Sequence, residues 1–322
     1  MEMMMEKLSR LLIENQDRYQ KGLLLPEIPP IKSVKIVIDQ PDLNLKAKRK
    51  VVITVDIILK NGFNEMINAL DYFFENLDDP EGVHQVRVRI RKYRAVLAFF
   101  MPIFEAEKYS IQQETLRNLG LLFGDVRQLD VLLEEITVME DDSVPPICEF
   151  AEIKQYLVGK REIAFKDLMD NLQTDQFALD LLDILVWKLN QPWLEGSPYL
   201  NQSIKTYAKK HIDIWLKKIK KSMKNIDVKQ QREVHKVRIK SKKLRYVIDQ
   251  LSDILDKKTR KSMDQFEKIQ DDLGYFHDVF ANKKLLDQFI SASDNSQLYY
   301  QAGIIVGWQM MAGNRKIRKY LK

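Results

Sequence analysis

The stretch VHQVRVRIRKYRAVLAFF, from Val83 to Phe100, occurs a second time as VHKVRIKSKKLRYVIDQL, from Val234 to Leu251. Both copies place apolar residues at the three- and four-residue spacing of an amphipathic helix. Both also begin with a Val-His pair that is followed by basic residues at matched positions. The repetition predicts two helices of the same kind in one chain, and we infer from it an internal duplication.

Each copy of the helix has two faces that lie side by side. At 100° per residue, four residues of each copy fall within about 80° of one another, and the apolar residues fall on the neighbouring stripe. The four are His84, Arg87, Arg91 and Arg94 in the first copy, and His235, Arg238, Lys242 and Arg245 in the second. The apolar stripe of the first copy, which we expect to be buried, is Val86, Ile90, Tyr93, Leu97 and Phe100. In the second copy it is Val237, Ser241, Leu244, Ile248 and Leu251, with the serine standing where the first copy has an isoleucine.

Positive charge is concentrated in the repeat. The chain of 322 residues has 52 Lys and Arg against 46 Asp and Glu, a formal net charge of +6. Residues 83–94 include five basic residues and no acidic one, and residues 231–245 include seven against Glu233 alone. Like charges one helical turn apart repel by a few tenths of a kcal/mol per pair, so something has to offset them. Carboxylates elsewhere in the chain and an external polyanion are the two interpretations.

A histidine opens each basic row. His84 follows Asp78-Asp79-Pro80 and His235 follows Asp227, which predicts that both lie just inside a helix start. A helix N-terminus carries roughly half a positive charge and amide groups that favour an anion. We expect the two imidazoles to donate hydrogen bonds to a phosphate; local capping or packing is the alternative.

The composition predicts an all-α protein. The whole chain has only 11 glycines and 10 prolines, and long stretches have a 3.6-residue apolar period. We predict two pseudo-symmetric four-helix bundles that arose by internal duplication, preceded by a short N-terminal extension. The extension covers residues 1–54, the first repeat about 55–190 and the second about 200–321, and the break between the repeats is QPWLEGSPYLNQ.

Helices are expected at about 49–77, 83–101, 106–139, 147–170, 175–189, 200–223, 231–256, 258–290 and 295–320. Within the extension we expect an amphipathic helix from Met1 to about Gln20 and a short extended excursion around Ile31–Ile38. The single cysteine, Cys148, excludes an intramolecular disulfide and a multi-cysteine metal site. The chain has no signal-peptide pattern at its start and no apolar run near the roughly 20 residues of a membrane span. We therefore expect a cytoplasmic protein with no membrane partner.

A glycine turn follows each copy of the basic helix. The stretch LLFGDVRQLDVLLEE places Phe123-Gly124 where QDDLGYFHDVFANKKLL places Leu273-Gly274, and Arg127 then matches His277. Acidic residues cluster near these turns, and we interpret them as helix-end charge and as salt-bridge partners of the basic rows. They are Asp125, Asp130, Asp271, Asp272 and Asp278.

Three enzyme or metal interpretations have little support. Glu81-x-x-His84 has the spacing of di-iron bundles, but the matching position in the second copy is Arg232. The His277-Asp278 dipeptide lacks a second histidine-rich ligand set. Phosphoryl transfer would need Mg²⁺-binding carboxylates that face the basic row, or a glycine-rich phosphate loop, and the sequence has neither pattern. We predict no enzyme activity, no metal and no cofactor.

The doubled pattern VH-x-x-R-[VI]-x-x-[RK]-K-x-R, each copy followed by a Leu/Phe-Gly turn and an aspartate-containing helix, strongly resembles the CHAD domain, the conserved-histidine α-helical domain. The resemblance covers about Val55 to Leu321. It implies two four-helix bundles about a pseudo-two-fold axis, a basic pore or groove, binding of inorganic polyphosphate and association with polyphosphate granules. The family's binding residues would be His84, Arg87, Arg91, Lys92 and Arg94 in the first copy, and His235, Arg238, Lys242, Lys243 and Arg245 in the second.

Two departures limit what the resemblance implies. The family often has an Arg-Asp pair after the glycine, whereas this chain has Arg127-Gln128 in one copy and His277-Asp278 in the other, so a shared role for that aspartate is not implied. CHAD domains also frequently follow a triphosphate tunnel metalloenzyme domain with a Glu-x-Glu-x-Lys strand. This chain has no such strand, so the hydrolase activity of those relatives is not carried over.

The sequence thus predicts a non-catalytic polyphosphate-binding protein, with a basic groove or pore between the bundles and additional cations from Lys60, Lys209 and Lys210. A nucleic-acid binder is one alternative, disfavoured because the counterpart of Tyr93 is Leu244, so no paired stacking platform exists. An enzyme that handles polyphosphate or nucleotides is another, and a purely structural role is a third. The oligomeric state stays open, as does a contribution from Arg315, Lys316, Arg318 and Lys319.

Overall fold

The structure is a computed structural model of the chain, and it describes residues 44–142, 149–190, 192–224, 230–256, 274–275, 278–288, 290–291 and 294–317. Across these ranges the protein is helical; two isolated β-bridges occur, and no strand forms there. The all-α prediction is confirmed. The predictions for Met1–Gln20, Ile31–Ile38, Cys148 and the helix start at 258 fall outside the described residues.

The helices are α1 Val51–Glu75, α2 Pro80–Phe100, α3 Ala106–Leu122, α4 Gly124–Asp142, α5 Ala151–Leu172, α6 Asp175–Leu189, α7 Ile204–Lys224, α8 Gln231–Gln250, α9 278–288 and α10 Ser296–Ile317. The continuous helix expected over 106–139 is wrong, because Phe123 leaves helical geometry and α4 starts at Gly124. The helix expected over 231–256 ends early, at Gln250, and a 3₁₀ turn covers Ser252–Ile254.

The start of α2 is fixed by local chemistry. The Asp79 carboxylate accepts a hydrogen bond from the Glu81 backbone N–H at 2.9 Å, and Pro80 occupies the first turn, where its missing N–H costs nothing. The Tyr72 hydroxyl of α1 donates to the same carboxylate at 2.5 Å. Asp79 therefore caps the start of α2 and also links α2 to α1 through the Tyr72 hydroxyl.

The chain divides into two compact units, and each draws helices from both halves of the chain. The first unit comprises Met1–Gly124, Asp167–His211 and Tyr246–Leu255. The second comprises Asp125–Lys166, Ile212–Arg245 and Asp256–Lys322. The units thus differ from the two sequence repeats, and the division into repeats remains a prediction.

In the first unit, the predicted apolar stripe of α2 is buried. Each burial of this kind stabilises the fold by about 1.5–3 kcal/mol. The five stripe residues are at most 3% exposed: Val86, Ile90, Tyr93, Leu97 and Phe100. At the end of α2 the Phe100 ring stacks on Tyr207 of α7 with centroids 5.3 Å apart, and the Tyr207 hydroxyl donates to the Phe99 carbonyl oxygen at 3.0 Å.

In the second unit, α4, α5 and α10 enclose one hydrophobic cluster that includes Leu132, Ile153 and Ile305. Gln301 lies within it and is 2% exposed. Its side-chain oxygen accepts from the Ile153 N–H at 2.9 Å, and its amide donates to the Glu149 carbonyl at 2.8 Å. A side chain from α10 therefore satisfies backbone groups at the start of α5, as a helix end buried in a core requires.

The stripe of the second copy is buried as well. Its residues are at most 5% exposed: Val237, Ser241, Leu244, Ile248 and Leu251. Both predicted apolar faces are therefore confirmed. Among the described helices, none combines the length and the low polarity that crossing a membrane requires.

Candidate functional site

The first basic row lies along α2 in the first unit. Four of its predicted residues are partly buried, and Arg91 is exposed. The partly buried ones are His84, Arg87, Lys92 and Arg94. The row therefore runs beside the buried stripe, at the boundary between the core of the first unit and its surface.

The Arg87 guanidinium sits at the junction of α3 and α4. Its Nη1 donates to the Gly120 carbonyl oxygen at 2.8 Å. A Cβ placed on Gly124 would lie 3.3 Å from the same Nη1, so the glycine leaves the room that the guanidinium fills. Carbonyls in the last turn of a helix carry partial negative charge and favour a cation. The sequence indicated both the basic helix and the glycine turn, but not that they touch.

Arg94 lies in an environment that disfavours its positive charge. Burial lowers the pKa of its guanidinium, and the neighbouring Arg117 and Arg91 lower it further, against the opposing charge of Glu114. Its Nε is buried, and no hydrogen-bond partner for it occurs among the residues that the structure describes. An arginine stays charged in proteins, so this environment favours a bound anion.

Arg89 shows that part of the charge is neutralised within the protein. Its Nη1 lies 2.8 Å from Glu65 Oε2 on α1, and both side chains are about one-third exposed. Arg89 is absent from the predicted site. The internal-carboxylate interpretation is therefore correct for this residue of the stretch.

The second basic row lies along α8 in the second unit. The side chains of its predicted residues are all partly buried: His235, Arg238, Lys242, Lys243 and Arg245. Arg238 Nη2 contacts both carboxylate oxygens of Asp278, at 3.1 and 3.3 Å. A Cβ on Gly274 would lie 3.5 Å from Arg238 Nε. The arginine of this row thus also meets its glycine turn, but its described partner is a carboxylate.

The two histidines occupy the same place in their helices, since His84 is the fifth residue of α2 and His235 the fifth of α8. They lie one residue beyond the four N–H groups that a helix start leaves without intrahelical partners. At the start of α2 the cap is Asp79. The expected contact of the His84 ring with phosphate and the alternative of local capping or packing both remain predictions.

The acidic residues near the glycine turns have different roles. Asp278 pairs with the basic row, as predicted, and Asp125 lies in the first turn of α4. Asp130 instead pairs with Arg161 of α5, its Oδ1 lying 2.5 Å from Nε. Asp271 and Asp272 lie outside the described residues.

The additional cations predicted from the first helix of each half lie on α1 and α7. Lys209 and Lys210 are exposed, and Lys210 Nζ lies 5.6 Å from the centroid of the Tyr199 ring. Lys60 lies near Lys188, a lysine that the sequence analysis missed and that is only 8% exposed. Burial lowers the pKa of Lys188, the charge of Lys60 lowers it too, and Asp56 opposes both. Participation of these lysines in binding remains a prediction.

A polar cluster around Glu135 of α4 was also missed. Its Oε2 accepts from the Asn282 amide at 2.8 Å and from the Gln309 amide at 2.5 Å. Burial raises the pKa of Glu135 to about 7, and the charge of Asp278 contributes in the same direction. A signal existed in the sequence, because a glutamate stands at the helical spacing of Leu132, Ile136 and Met139, on the apolar face.

The metal interpretations gain no support from the described part of the chain. No group of three histidine, cysteine or acidic side chains lies close enough to hold a metal ion there. Glu81, the candidate di-iron ligand beside His84, accepts a hydrogen bond from the Gln85 amide. His277 lies outside the described residues.

These features define an all-α protein with two basic helices. Each helix has a Val-His pair near its start and packs an arginine against a glycine turn. The chain belongs to the CHAD domain family, whose model matches residues 62–287. The resemblance inferred from the doubled motif is confirmed.

Two solved structures share the fold. The crystal structure of the CHAD domain from the plant Ricinus communis has a TM-score of 0.66 and 20% identity, over 85% of this chain and 93% of that one. PptA from Streptomyces chartreusis has a TM-score of 0.62 and 13% identity, over 85% of this chain and 99% of that one. At these identities the likeness concerns the fold alone. No curated protein matches the chain.

Proposed function

We propose that this protein binds inorganic polyphosphate, without catalysis, through the basic rows of α2 and α8. Polyphosphate binding is a known property of the CHAD family. The observation that carries the proposal is the environment of Arg94, whose partly buried guanidinium has two further arginines near it. A bound phosphate would offset that accumulation of positive charge.

Linear polyphosphate suits such rows for two reasons. Guanidinium groups bind phosphate oxygens through paired N–H donors, and lysines add mobile point charges. The ligand also carries charge along its whole length, so successive cations on one helix face can be neutralised together. Association with polyphosphate granules in a cytoplasmic setting is the corresponding expectation for the cell.

Nucleic acid is the main competing ligand. Binding of single strands usually depends on exposed aromatic side chains that stack on bases. Tyr93, the aromatic residue within the first basic stretch, is 2% exposed and fills the core, so it offers no stacking surface. We therefore expect much weaker binding of nucleic acid than of polyphosphate at equal charge.

The test is a binding titration with long-chain polyphosphate at several salt concentrations, beside single-stranded and duplex nucleic acid of matched charge. Affinity for polyphosphate should fall steeply with salt, because neutralised phosphates release counterions. The Arg94→Glu, Arg245→Glu double variant should lose polyphosphate binding and keep its helical content. Equal affinity for all three ligands, or unchanged polyphosphate affinity in the folded double variant, would refute the proposal.

A matched control reverses two charges that belong to neither row. Lys48 and Lys166 are exposed, and one lies in each unit. The Lys48→Glu, Lys166→Glu variant changes the net charge by the same amount and should retain most of the affinity. Consumption of polyphosphate upon addition of a divalent metal ion would overturn the non-catalytic part of the proposal.

A further inference from the structure

In the second row, Arg238 forms an ion pair with the carboxylate of Asp278. Arg238 is 14% exposed at its side chain and Asp278 is 39% exposed, so the pair lies at the edge of the second unit, not deep in its core. A single nitrogen, Nη2, makes both contacts with the carboxylate. A phosphate that approaches this guanidinium therefore meets an anion that is already bound to it.

The first row differs at the matching position. Gln128 stands where the second copy has Asp278, and its neutral amide donates to the Ala281 carbonyl at 3.3 Å. Arg87, the counterpart of Arg238, donates to the neutral carbonyl of Gly120. At this position of the motif, the second copy has a carboxylate and the first copy has an amide.

A buried carboxylate, that of Glu135, lies close enough to Asp278 for the two charges to interact. Asp278 and Asn282 are one turn apart on α9, so they share a helix face, and the Asn282 amide donates to Glu135 Oε2 at 2.8 Å. From α10, Gln309 donates to the same oxygen. Within the described residues, the other charged or titratable groups that act on Glu135 or are affected by it are Glu134 on α4 itself, Lys316 on α10 and the Tyr275 hydroxyl.

Lys316 partly balances this acidic site. Its Nζ lies 4.0 Å from the centroid of the Tyr275 ring, and its charge lowers the pKa of Glu135. Burial and Asp278 act more strongly, so Glu135 exchanges its proton near neutral pH. The charge next to Arg238 and Asp278 therefore changes over the physiological range.

We propose that Asp278, backed by Glu135, competes with polyphosphate for Arg238, and that polyphosphate affinity therefore rises as the solution becomes more acidic. The inference rests on the proposed function. With Glu135 ionised, a second negative charge acts on Asp278, the carboxylate that holds the guanidinium a phosphate must approach, and like charges at short range disfavour one another. With Glu135 protonated, one of these charges is gone. Reciprocity then requires that bound polyphosphate favours proton uptake at Glu135.

The test measures the polyphosphate affinity of the full-length protein at about pH 6, 7 and 8 and constant ionic strength. For the wild type we expect a Kd about three- to tenfold lower at the acid end, since a charge change of this kind couples by about one pKa unit or less. Glu135→Gln keeps an acceptor for both amides and removes the titration. It should bind equally across this range, with the affinity that the wild type has in acid.

Two further variants separate competition from simple charge loss. Asp278→Asn should bind polyphosphate more tightly than the wild type at about pH 8, because the competing carboxylate is gone. Glu162→Gln removes one exposed carboxylate from α5 in the same unit and should follow the wild-type profile. Weaker binding by Asp278→Asn would mean that Asp278 only orients Arg238, which overturns the inference.

Each row also includes a histidine, a residue type whose ordinary pKa lies in this range, so the Glu135→Gln profile decides between the two possible sources of a pH dependence. A slope that persists in Glu135→Gln assigns the pH dependence elsewhere and refutes the inference. Calorimetry of the wild type in buffers of different ionisation enthalpy provides a measurement that requires no variant to fold, and it should show net proton uptake at about pH 7. Wild-type binding without pH dependence refutes only this inference, whereas no binding at any pH refutes the proposed function itself.

Discussion

The Arg87 guanidinium packs against Gly124 so closely that a Cβ on the glycine would lie 3.3 Å from Nη1. The same relationship joins Arg238 to Gly274, where the distance would be 3.5 Å to Nε. A basic helix and a glycine turn that are separate motifs in the sequence thus form one structural element. The glycine provides space for the guanidinium, and the guanidinium stays in a defined place on the row.

Gly124→Ala should displace the Arg87 guanidinium. The hydrogen bond to Gly120 would be strained or lost, at a cost of about 0.5–1.5 kcal/mol, and polyphosphate affinity should fall with it. Thermal unfolding and binding titrations would measure the two effects. Gly159→Ala is the control: that glycine lies inside α5 with no atom within 4 Å of its Cβ position, so alanine should stabilise the helix by up to about 1 kcal/mol. An affinity unchanged in Gly124→Ala would show that the close packing has no part in binding.

Asp130→Ala should destabilise the second unit strongly. The carboxylate is 5% exposed and lies 2.5 Å from Arg161, whose guanidinium also lies 5.5 Å from the centroid of the Phe165 ring. Removing one partner of a buried ion pair leaves the other charge uncompensated, so we expect a loss of about 3 kcal/mol in the free energy of unfolding. Urea denaturation would measure it. Asp130→Ala combined with Arg161→Met should recover much of that loss, and no recovery would contradict this explanation.

Stability should fall in mild acid because of His211. Its ring is 8% exposed and stacks on Tyr207 with centroids 4.0 Å apart, and burial, with the charge of Lys210, lowers its pKa. The native state therefore binds fewer protons than the unfolded state, and stability is lost as the pH falls below about 6.5, the unfolded value. His211→Phe should lack this dependence in thermal melts between about pH 5 and 8. A variant with the wild-type slope would assign the effect to another group.

Glu135 should lower the stability of the protein as the pH rises, the opposite of the effect of His211. The pKa of Glu135 is raised to about 7, chiefly by burial, so the native state binds more protons than the unfolded state between about pH 4.5 and 7. Its contribution to stability is present in acid and is lost as the pH rises through this window. Glu135→Gln should remove that loss, which thermal melts across the same range would show. A melting profile identical to that of the wild type would mean that the carboxyl titrates normally.

The sequence predicted the faces of α2 and α8 because burial follows a local period. A residue such as Leu97 is placed on the core side by its spacing from Val86 and Ile90, with no knowledge of its partners. The glycine turn at Phe123-Gly124 was predicted, but the helix bounds of 106–139 ran through it because leucine, phenylalanine and valine continue the apolar period on both sides of the glycine. The role of Glu135 was missed although its spacing placed it on the apolar face.

What the sequence by itself determined is the helical class, the orientation of each basic helix and the family, since these depend on residues that are neighbours along one helix. What only the tertiary structure decided is which charges are neutralised inside the protein. Arg89 pairs with Glu65, Arg238 with Asp278 and Arg161 with Asp130, and each partner lies on a different helix. Coulomb attraction depends on distance in space, and the packing of the helices sets that distance between residues that are far apart in the chain.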